Sequence, residues 1–483
     1  MNIDELAQLA QRALNWCRLY VHGWSNLTPE QFEFSPIKGG LSNQLYRCVN
    51  RNRVGVPATA SASDDQEVPS CVLLRLYGGD SAFVSREHDN IIFAILAERR
   101  VGPELHGIFT EGRIEEFIES RTLQRKDLAI ADLSRNIARR LAAFHSFPLP
   151  LSKQPCLFVY IERWQAMAAE VLRVSMAEAQ PALASSQLAV PPAQPSRSRS
   201  NSDLNDGLAR IRSTHSGTNI PDRVGRTATR ESPINVTRPL SANDLKLLLD
   251  LTTTDFGTAE AQWLKAFLLR VPSPVVFCHN DLQEGNILEP SSARDTSFRR
   301  RPLRFIDYEY GAYNYRAFDI ANHFCEWSID YNVDAAPYFS ITGKDFPTRA
   351  QQEIFIQSYL SAWECVDDRV AASLFEGDDD DSDRPTATAT TTTAAASAAP
   401  QVRRAASIRT SPITPDEVAR VVREVNAYVL ASHFMWSVWS IVQAATSDIA
   451  FGYVEYAVQR LEVYFALKAQ LLASGEYSDD QSH

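Results

Sequence analysis

Short apolar runs separated by polar turns dominate the first 120 residues and predict a small lobe built on a β-sheet. The predicted strands lie in a hairpin at 35–49 and at 71–77, 105–109 and 113–118. Helical periodicity at 3–22 and 89–99 adds two helices to these strands. We therefore expect an N-terminal lobe that spans residues 1–120.

Helical periodicity prevails in the rest of the chain and predicts a larger, mainly helical lobe over residues 121–483. The predicted helices are 131–146, 160–179, 244–269, 349–365 and 415–474. Two inserts, at 180–238 and 377–412, are rich in small and polar residues and poor in aromatics. Such a composition predicts disorder, because it buries too little apolar surface to offset the entropy of ordering. The expected fold class is α+β, with two lobes.

Composition narrows the function classes. The 483 residues carry a net charge of -11, which provides no global field to attract nucleic acid or an anionic membrane. We find no apolar run of about 18 residues and no basic start followed by an apolar core, so we expect neither stable membrane insertion nor a signal peptide. Seven scattered cysteines without a CxxC pair indicate a reducing compartment. Together these features predict a cytoplasmic protein.

Three polar residues follow two predicted strands at informative spacing. Strand 275–278 leads into His279-Asn280-Asp281, and Asn286 follows in the same loop. A second strand, 303–306, leads into Asp307. Phosphoryl transfer needs one carboxylate to accept the proton of the attacking hydroxyl, and an amide oxygen and a second carboxylate to hold Mg²⁺. We therefore assign Asp281 as the base and Asn286 and Asp307 as metal ligands; the alternative is that these residues only cap strands.

The N-terminal lobe contains two candidates for contact with phosphate. Glycine lets the backbone approach phosphate oxygens closely, although Gly39-Gly40 is also typical of a simple hairpin turn. Arg75 is the one charge in an apolar strand, so it should meet phosphate or a carboxylate, for which Glu87 or Asp89 could serve. The alternative is that Arg75 reaches solvent at the edge of a strand.

Aromatic residues are abundant around one acidic residue of the C-terminal lobe. Tyr310 and Tyr331 flank Glu326, and Trp436 and Trp439 share one helix face at a spacing of three. Aromatic faces around a carboxylate form a cage for a cation without hydrogen-bond donors, and choline is a usual ligand of such cages. The alternative is that these rings only fill the core.

These residues resemble the choline/ethanolamine kinase family. The resemblance covers about 36–175 and 245–470 and rests on 39–43, 73–78, 93–98, 279–288, 313–324 and 433–440. It implies a protein-kinase-like two-lobed fold and phosphorylation of choline or ethanolamine by ATP with Mg²⁺, the first step of the cytidine-nucleotide route to phosphatidylcholine or phosphatidylethanolamine. Cys325-Glu326-Trp327 and the Trp436/Trp439 pair resemble the choline-preferring branch.

The resemblance also implies specific contacts. The implied ATP contacts are Gly39, Gly40, Leu41, Ser42, Asn43, Arg75, Glu116, Phe117, Ile118 and Gln283. The implied choline pocket is Tyr310, Glu326, Tyr331, Trp436, Trp439 and Tyr456. Glu116 departs from the neutral amide that relatives often carry, which puts its adenine-side contact in doubt.

Three alternatives stay open at the level of sequence. One is an ethanolamine kinase, and another is an aminoglycoside- or homoserine-type phosphotransferase, for which a carboxylate-rich cleft is expected in place of a tryptophan cage. The third is a catalytically dead scaffold that acts through its inserts, although all three phosphotransfer groups are present. The sequence leaves the oligomeric state open, with a homodimer among the possibilities.

Overall fold

The computed structural model describes residues 3–37, 43–53, 68–78, 83, 85–187, 234, 236–251, 257–291, 303–363 and 412–477. The N-terminal part is organised around a five-stranded antiparallel sheet in the order β1-β2-β3-β5-β4. Its strands are β1 (Phe32–Ile37), β2 (Asn43–Asn50), β3 (Cys71–Tyr77), β4 (Leu105–Phe109) and β5 (Gly112–Glu116). The four predicted strand regions are thus observed, although the last strand ends at Glu116 rather than at residue 118.

Two helices accompany this sheet. Helix α1 (Ile3–Tyr20) buries Leu14 and Cys17 in one cluster with Val72, Leu74 and Ile114 from the sheet. Helix α2 (Arg86–Glu98) begins three residues before the predicted start because Ser85 caps it, its hydroxyl accepting the amide of His88. The apolar face of α2 packs into the core of the larger, helical part of the molecule.

Helices make up most of the remaining chain. They are α3 (Arg125–Leu128), α4 (Ala131–Ser146), α5 (Leu157–Gln187), α6 (Ala242–Leu251), α7 (Thr258–Leu269), α8 (Arg316–Glu326), α9 (Arg349–Trp363), α10 (Pro415–Thr446) and α11 (Tyr453–Ser474). Helix α10 is central, since it packs against α5, α8, α9 and α11. Its apolar residues surround the helix instead of forming one stripe, as is typical of a buried helix.

Short strands hold the loops between the helices. Strands β6 (Ser120–Thr122), β8 (Ile287–Pro290) and β9 (Arg304–Phe305) form one small sheet. Strand β7 (Val275–Cys278) pairs with β10 (Ala312–Tyr315), and β11 (Ile329–Asp330) pairs with β12 (Ser340–Ile341). The polar loops that carry the predicted catalytic residues leave the ends of β7 and β9.

Several predicted boundaries are wrong. The single helices predicted at 244–269 and 415–474 are each two helices, and Gly257 and Gly452 precede the second helix of each pair. Apolar periodicity continues on both sides of these breaks, so the pattern alone concealed them. The predicted insert 180–238 is too wide, because α5 continues to Gln187 and the amides of Thr237 and Arg238 both bond to Ala445 O. Most of this insert, and all of the second except Pro412, lie outside the described residues.

Candidate active site

A buried carboxylate from α8 fixes the loop after β7. Asp319 accepts the backbone amides of His279 and Asn280, at 2.8 and 2.7 Å, and the ring of His145 at 2.8 Å. Burial alone would raise the pKa of Asp319, but the hydrogen bond from His145 and the other donors bring this pKa below its ordinary value. The sequence analysis missed this role; Asp319 within the resemblance motif at 313–324 was the available signal.

Asp281 and Asn286 are in contact at the end of this loop. The amide nitrogen of Asn286 donates to the backbone oxygen of Asp281 at 2.8 Å and to its carboxylate Oδ2 at 3.2 Å. Burial raises the pKa of Asp281 well above its usual value, and the carboxylates of Glu326 and Asp307 raise it further. A carboxylate with a raised pKa is a better proton acceptor near neutral pH.

Backbone contacts bring the Asp307 loop beside the first loop. Nε2 of His279 donates to Ile306 O at 2.9 Å, and the amide of Ile306 donates to Asn286 O at 3.0 Å. Asp307 itself has a positive φ of 65°, an uncommon conformation for a residue other than glycine. The structure therefore gathers the three residues predicted for phosphoryl transfer at one place.

Arg75 is buried, but its partners differ from the predicted ones. It donates to Glu115 at 2.8 Å and to Asp307 at 3.3 Å. Asp89 instead pairs with Arg113, and Glu87 accepts the hydroxyl of Ser85. The expectation that Glu87 or Asp89 pairs with Arg75 is therefore wrong. The pairing of β3 with β5 places Arg75 opposite Arg113, and Glu115 on β5 bonds to both guanidinium groups.

The other residues implied to contact ATP have protein partners in this structure. The carboxylate of Glu116 accepts the amide of Glu104 at 3.1 Å, and the ring of Phe117 lies 5.2 Å from the guanidinium of Arg47. The side chain of Gln283 accepts the amide of Gly285. The backbone oxygen of Ile118, which follows β5, accepts the hydroxyl of Ser120. Asn43 begins β2 and lies opposite Tyr77 of β3. The other implied contacts lie outside the described residues: Gly39, Gly40, Leu41 and Ser42. Contact of these residues with a nucleotide stays a prediction.

Three of the predicted cage residues are in contact: Trp436 and Trp439 on α10, and Tyr310 from the loop before β10. The ring of Trp436 lies 5.3 Å from that of Tyr310 and 5.4 Å from that of Trp439, both in edge-on geometry. The indole of Trp439 also donates to the hydroxyl of Tyr310 at 2.9 Å. Trp439 is the partly exposed member of this group.

The remaining cage residues form a second group: Glu326 on α8, Tyr331 directly after β11, and Tyr456 on α11. The hydroxyl of Tyr331 donates to Glu326 at 2.9 Å and lies 3.1 Å from the hydroxyl of Tyr456. The rings of Phe451 and Tyr453 connect this group to Trp439, with consecutive centroids 4.9 to 5.9 Å apart. The residues of the predicted pocket are therefore joined by a continuous series of aromatic contacts, with the carboxylate of Glu326 among them.

That carboxylate already has a cationic partner. Arg460, fully buried on α11, donates to Oε1 of Glu326 at 3.0 Å and to the hydroxyl of Tyr456 at 2.5 Å. Burial raises the pKa of Glu326, and the charge of Arg460 opposes that rise. The sequence analysis missed Arg460; an isolated arginine four residues after Tyr456, on the same helix face, was the available signal.

An amide connects the cage to the catalytic loop. Oδ1 of Asn322 accepts the indole of Trp436 at 2.7 Å and the hydroxyl of Ser432 at 2.8 Å. The amide nitrogen of Asn322 donates to Asn280 O at 3.3 Å. The position of Trp436 is thereby coupled to the residue that precedes Asp281, and the sequence analysis did not foresee this link.

Glu284 is a second buried carboxyl in the loop of Asp281. The residue is 3% exposed, and among the described residues its Oε2 has no hydrogen-bond partner. Burial, followed by the nearby charge of Glu326, raises its pKa to about 8.

Comparison with known proteins agrees with this arrangement. The family model for choline/ethanolamine kinase matches residues 34–196 and 233–465. The chain belongs to the choline/ethanolamine kinase family. Mouse choline kinase alpha is 33% identical over 483 residues, 95% of this chain and 81% of the relative, and human choline/ethanolamine kinase is 33% identical over 467 residues, 95% and 87% respectively. The predicted family and its kinase class are confirmed.

The fold is confirmed as well. The crystal structure of choline kinase from Cryptosporidium parvum Iowa II superposes with a TM-score of 0.58 at 22% identity, covering 96% of this chain and 97% of that one. The small antiparallel sheet followed by a mainly helical part is thus the kinase-like architecture expected from the sequence. Within the part of the chain that is described, no helix is long and apolar enough to cross a membrane.

Proposed function

We propose that this enzyme transfers the γ-phosphoryl group of ATP to the hydroxyl of choline, and to that of ethanolamine less efficiently. The observation that supports the proposal is the adjacency of two sites. Asp281 contacts Asn286, and the side-chain amide of the preceding residue, Asn280, donates to the backbone oxygen of Tyr310, a residue of the aromatic pocket, at 2.8 Å. A cation held at the pocket would thus place its hydroxyl group beside the base.

In the proposed reaction, Asp281 accepts the proton of the choline hydroxyl. The hydroxyl oxygen forms a bond to the γ-phosphorus while the bond from that phosphorus to the bridging oxygen breaks, so the products are phosphocholine and ADP. The contacts of Asn280 with Asp319 and Asn322 hold the loop that presents Asp281. The raised pKa of Asp281 suits it to this role.

Asn286 and Asp307 fit a magnesium ion. Carboxylate and amide oxygens are the protein ligands that Mg²⁺ prefers. Asn286 uses its amide nitrogen to bond to Asp281, an arrangement that leaves its amide oxygen for a cation, and Asp307 uses only Oδ1 in its contact with Arg75. When bound, Mg²⁺ would neutralise part of the negative charge of the phosphate groups. We assign phosphate contact to Arg75 and to residues 39–43, and further contacts with ATP to residues 116–118 and to Gln283.

The pocket favours choline over the alternatives. Trimethylammonium has no N–H donors and gains from aromatic faces, whereas the ammonium of ethanolamine loses hydration unless acceptors replace it. Both oxygens of Glu326 are already bonded, to Arg460 and to Tyr331. An aminoglycoside would need many acceptors, which this aromatic surface does not offer.

Turnover of ATP with choline, ethanolamine and an aminoglycoside panel tests the proposal. We expect kcat/KM for choline to exceed that for ethanolamine by ~10-fold, about 1.4 kcal/mol. Equal values or a preference for ethanolamine would favour the ethanolamine kinase alternative. Turnover of aminoglycosides alone would favour the aminoglycoside-type phosphotransferase, and no turnover of any acceptor would favour the scaffold. A cytoplasmic location and a homodimer stay predictions.

A further inference from the structure

The polar end of the proposed choline pocket is a closed ring of four side chains. Glu326 accepts hydrogen bonds from Arg460 at 3.0 Å and from Tyr331 at 2.9 Å. Arg460 also donates to the hydroxyl of Tyr456, and that hydroxyl lies 3.1 Å from the one of Tyr331. Each oxygen of the carboxylate therefore has a partner before any substrate enters.

Arg460 is held firmly in this ring. The side chain is fully buried, its guanidinium lies 5.0 Å from the ring centroid of Tyr456, and Nη1 is 3.4 Å from Nδ1 of His433. Burial lowers the pKa of His433 well below its ordinary value, so this ring is neutral and can accept from the guanidinium. Arg460 thus approaches Glu326 from the protein interior and has no route to solvent.

This pairing changes what the pocket offers to a substrate. An unpaired carboxylate would attract any ammonium ion and accept its N–H bonds. A carboxylate paired at 3.0 Å with a guanidinium presents little net charge and few free lone pairs. A quaternary ammonium has no N–H donors, so the lack of free acceptors on Glu326 costs it little binding energy. A primary ammonium is left with unsatisfied N–H donors.

On the basis of the function proposed above, we propose that Arg460 is a specificity-determining positioning residue, which engages Glu326 so that the pocket discriminates against primary ammonium substrates. Arg460 acts through Glu326 and need not touch the substrate. Specificity of this kind arises by withholding partners from the wrong substrate as much as by contacts with the right one.

Substitutions that release Glu326 test the proposal. Arg460→Met frees Oε1, and Tyr331→Phe frees Oε2 while keeping the aromatic ring. We expect each to lower the ratio of kcat/KM for choline to that for ethanolamine, by ~10-fold in R460M and by ~3-fold in Y331F, with KM for ATP changed less than ~2-fold. Arg460→Lys keeps a cation beside Glu326 and should keep the wild-type ratio.

Two further variants separate specificity from stability. Arg316→Met breaks another buried ion pair, Arg316 with Glu424 at 2.7 Å, and should leave the ratio unchanged. R460M/E326Q removes the charged acceptor together with its partner, so the gain for ethanolamine seen in R460M should disappear. If R460M fails to fold, the ratio in Y331F still decides whether occupation of Glu326 by protein partners sets the preference for choline.

Several outcomes would overturn the role of Arg460. They are an unchanged ratio in Y331F, a ratio in R460K shifted as far as in R460M, a shift of equal size in R316M, and a low ratio that persists in R460M/E326Q. Failure of the proposed function is distinct, because it is seen in the wild-type enzyme alone, which would then phosphorylate neither amine or would not prefer choline.

Discussion

Buried Glu284 makes a pH-dependent contribution to stability that can be calculated. Its ordinary pKa of 4.5 is raised to about 8 in the folded protein, because burial and the charge of Glu326 disfavour ionisation. The folded state therefore binds the proton more tightly than the unfolded chain. The resulting stabilisation is complete below pH 4.5 and is lost as the pH rises through 8.

The magnitude follows from one proton. Between pH 6 and pH 8 the unfolded carboxyl is ionised throughout, whereas the folded one becomes ionised only near pH 8. At about 1.4 kcal/mol per pH unit, this group alone costs the wild-type protein about 2 kcal/mol over that interval. Glu284→Gln has nearly the same shape and carries no charge, so its stability relative to wild type should rise by about 2 kcal/mol from pH 6 to pH 8.

Urea unfolding followed by tryptophan fluorescence at both pH values measures this difference. Other carboxyls with raised pKa, such as Asp281, titrate in both proteins, so the comparison isolates Glu284. Glu353→Gln serves as the matched control, because it makes the same substitution at a side chain of α9 that is 46% exposed. If wild type and E284Q lose or gain stability in parallel between pH 6 and pH 8, Glu284 titrates normally and the reasoning fails.

Three predictions concern the chemistry. Asp281→Asn should retain both substrates but lower kcat by at least ~10²-fold, as for loss of a general base, and near-normal kcat in a steady-state assay would contradict that role. Asp307→Ala should lose activity that rising Mg²⁺ does not fully restore, and a metal titration with full activity at ordinary Mg²⁺ would exclude Asp307 as a ligand. Trp439→Ala should raise KM for choline ~3- to 30-fold and KM for ATP far less, because the loss of one aromatic face removes ~0.5–2 kcal/mol of cation binding. Equal changes in both constants would indicate that Trp439 only packs in the core.

The sequence alone determined the parts of this protein that depend on local pattern. A short apolar run predicted β3 and helical periodicity predicted α4, both at their observed bounds, because each element is set by residues adjacent along the chain. The spacing of Asp281, Asn286 and Asp307 after short strands also indicated that these residues lie near one another, whereas their roles in phosphoryl transfer stay predictions. Helix breaks inside continuous apolar periodicity, such as the one before Gly452, could not be predicted from the same local pattern.

Only the tertiary structure decided how the charges pair. Arg75 meets Asp307 across 232 positions of sequence, and Arg460 meets Glu326 across 134, so no window of sequence contains either pair. A buried charge must find a partner, but which partner depends on strand register and helix packing rather than on local spacing. The aromatic residues of the pocket and Glu326 were visible in the sequence. The pairing of Glu326 with Arg460 was not, because Arg460 reaches Glu326 only after α8 and α11 have both packed against α10.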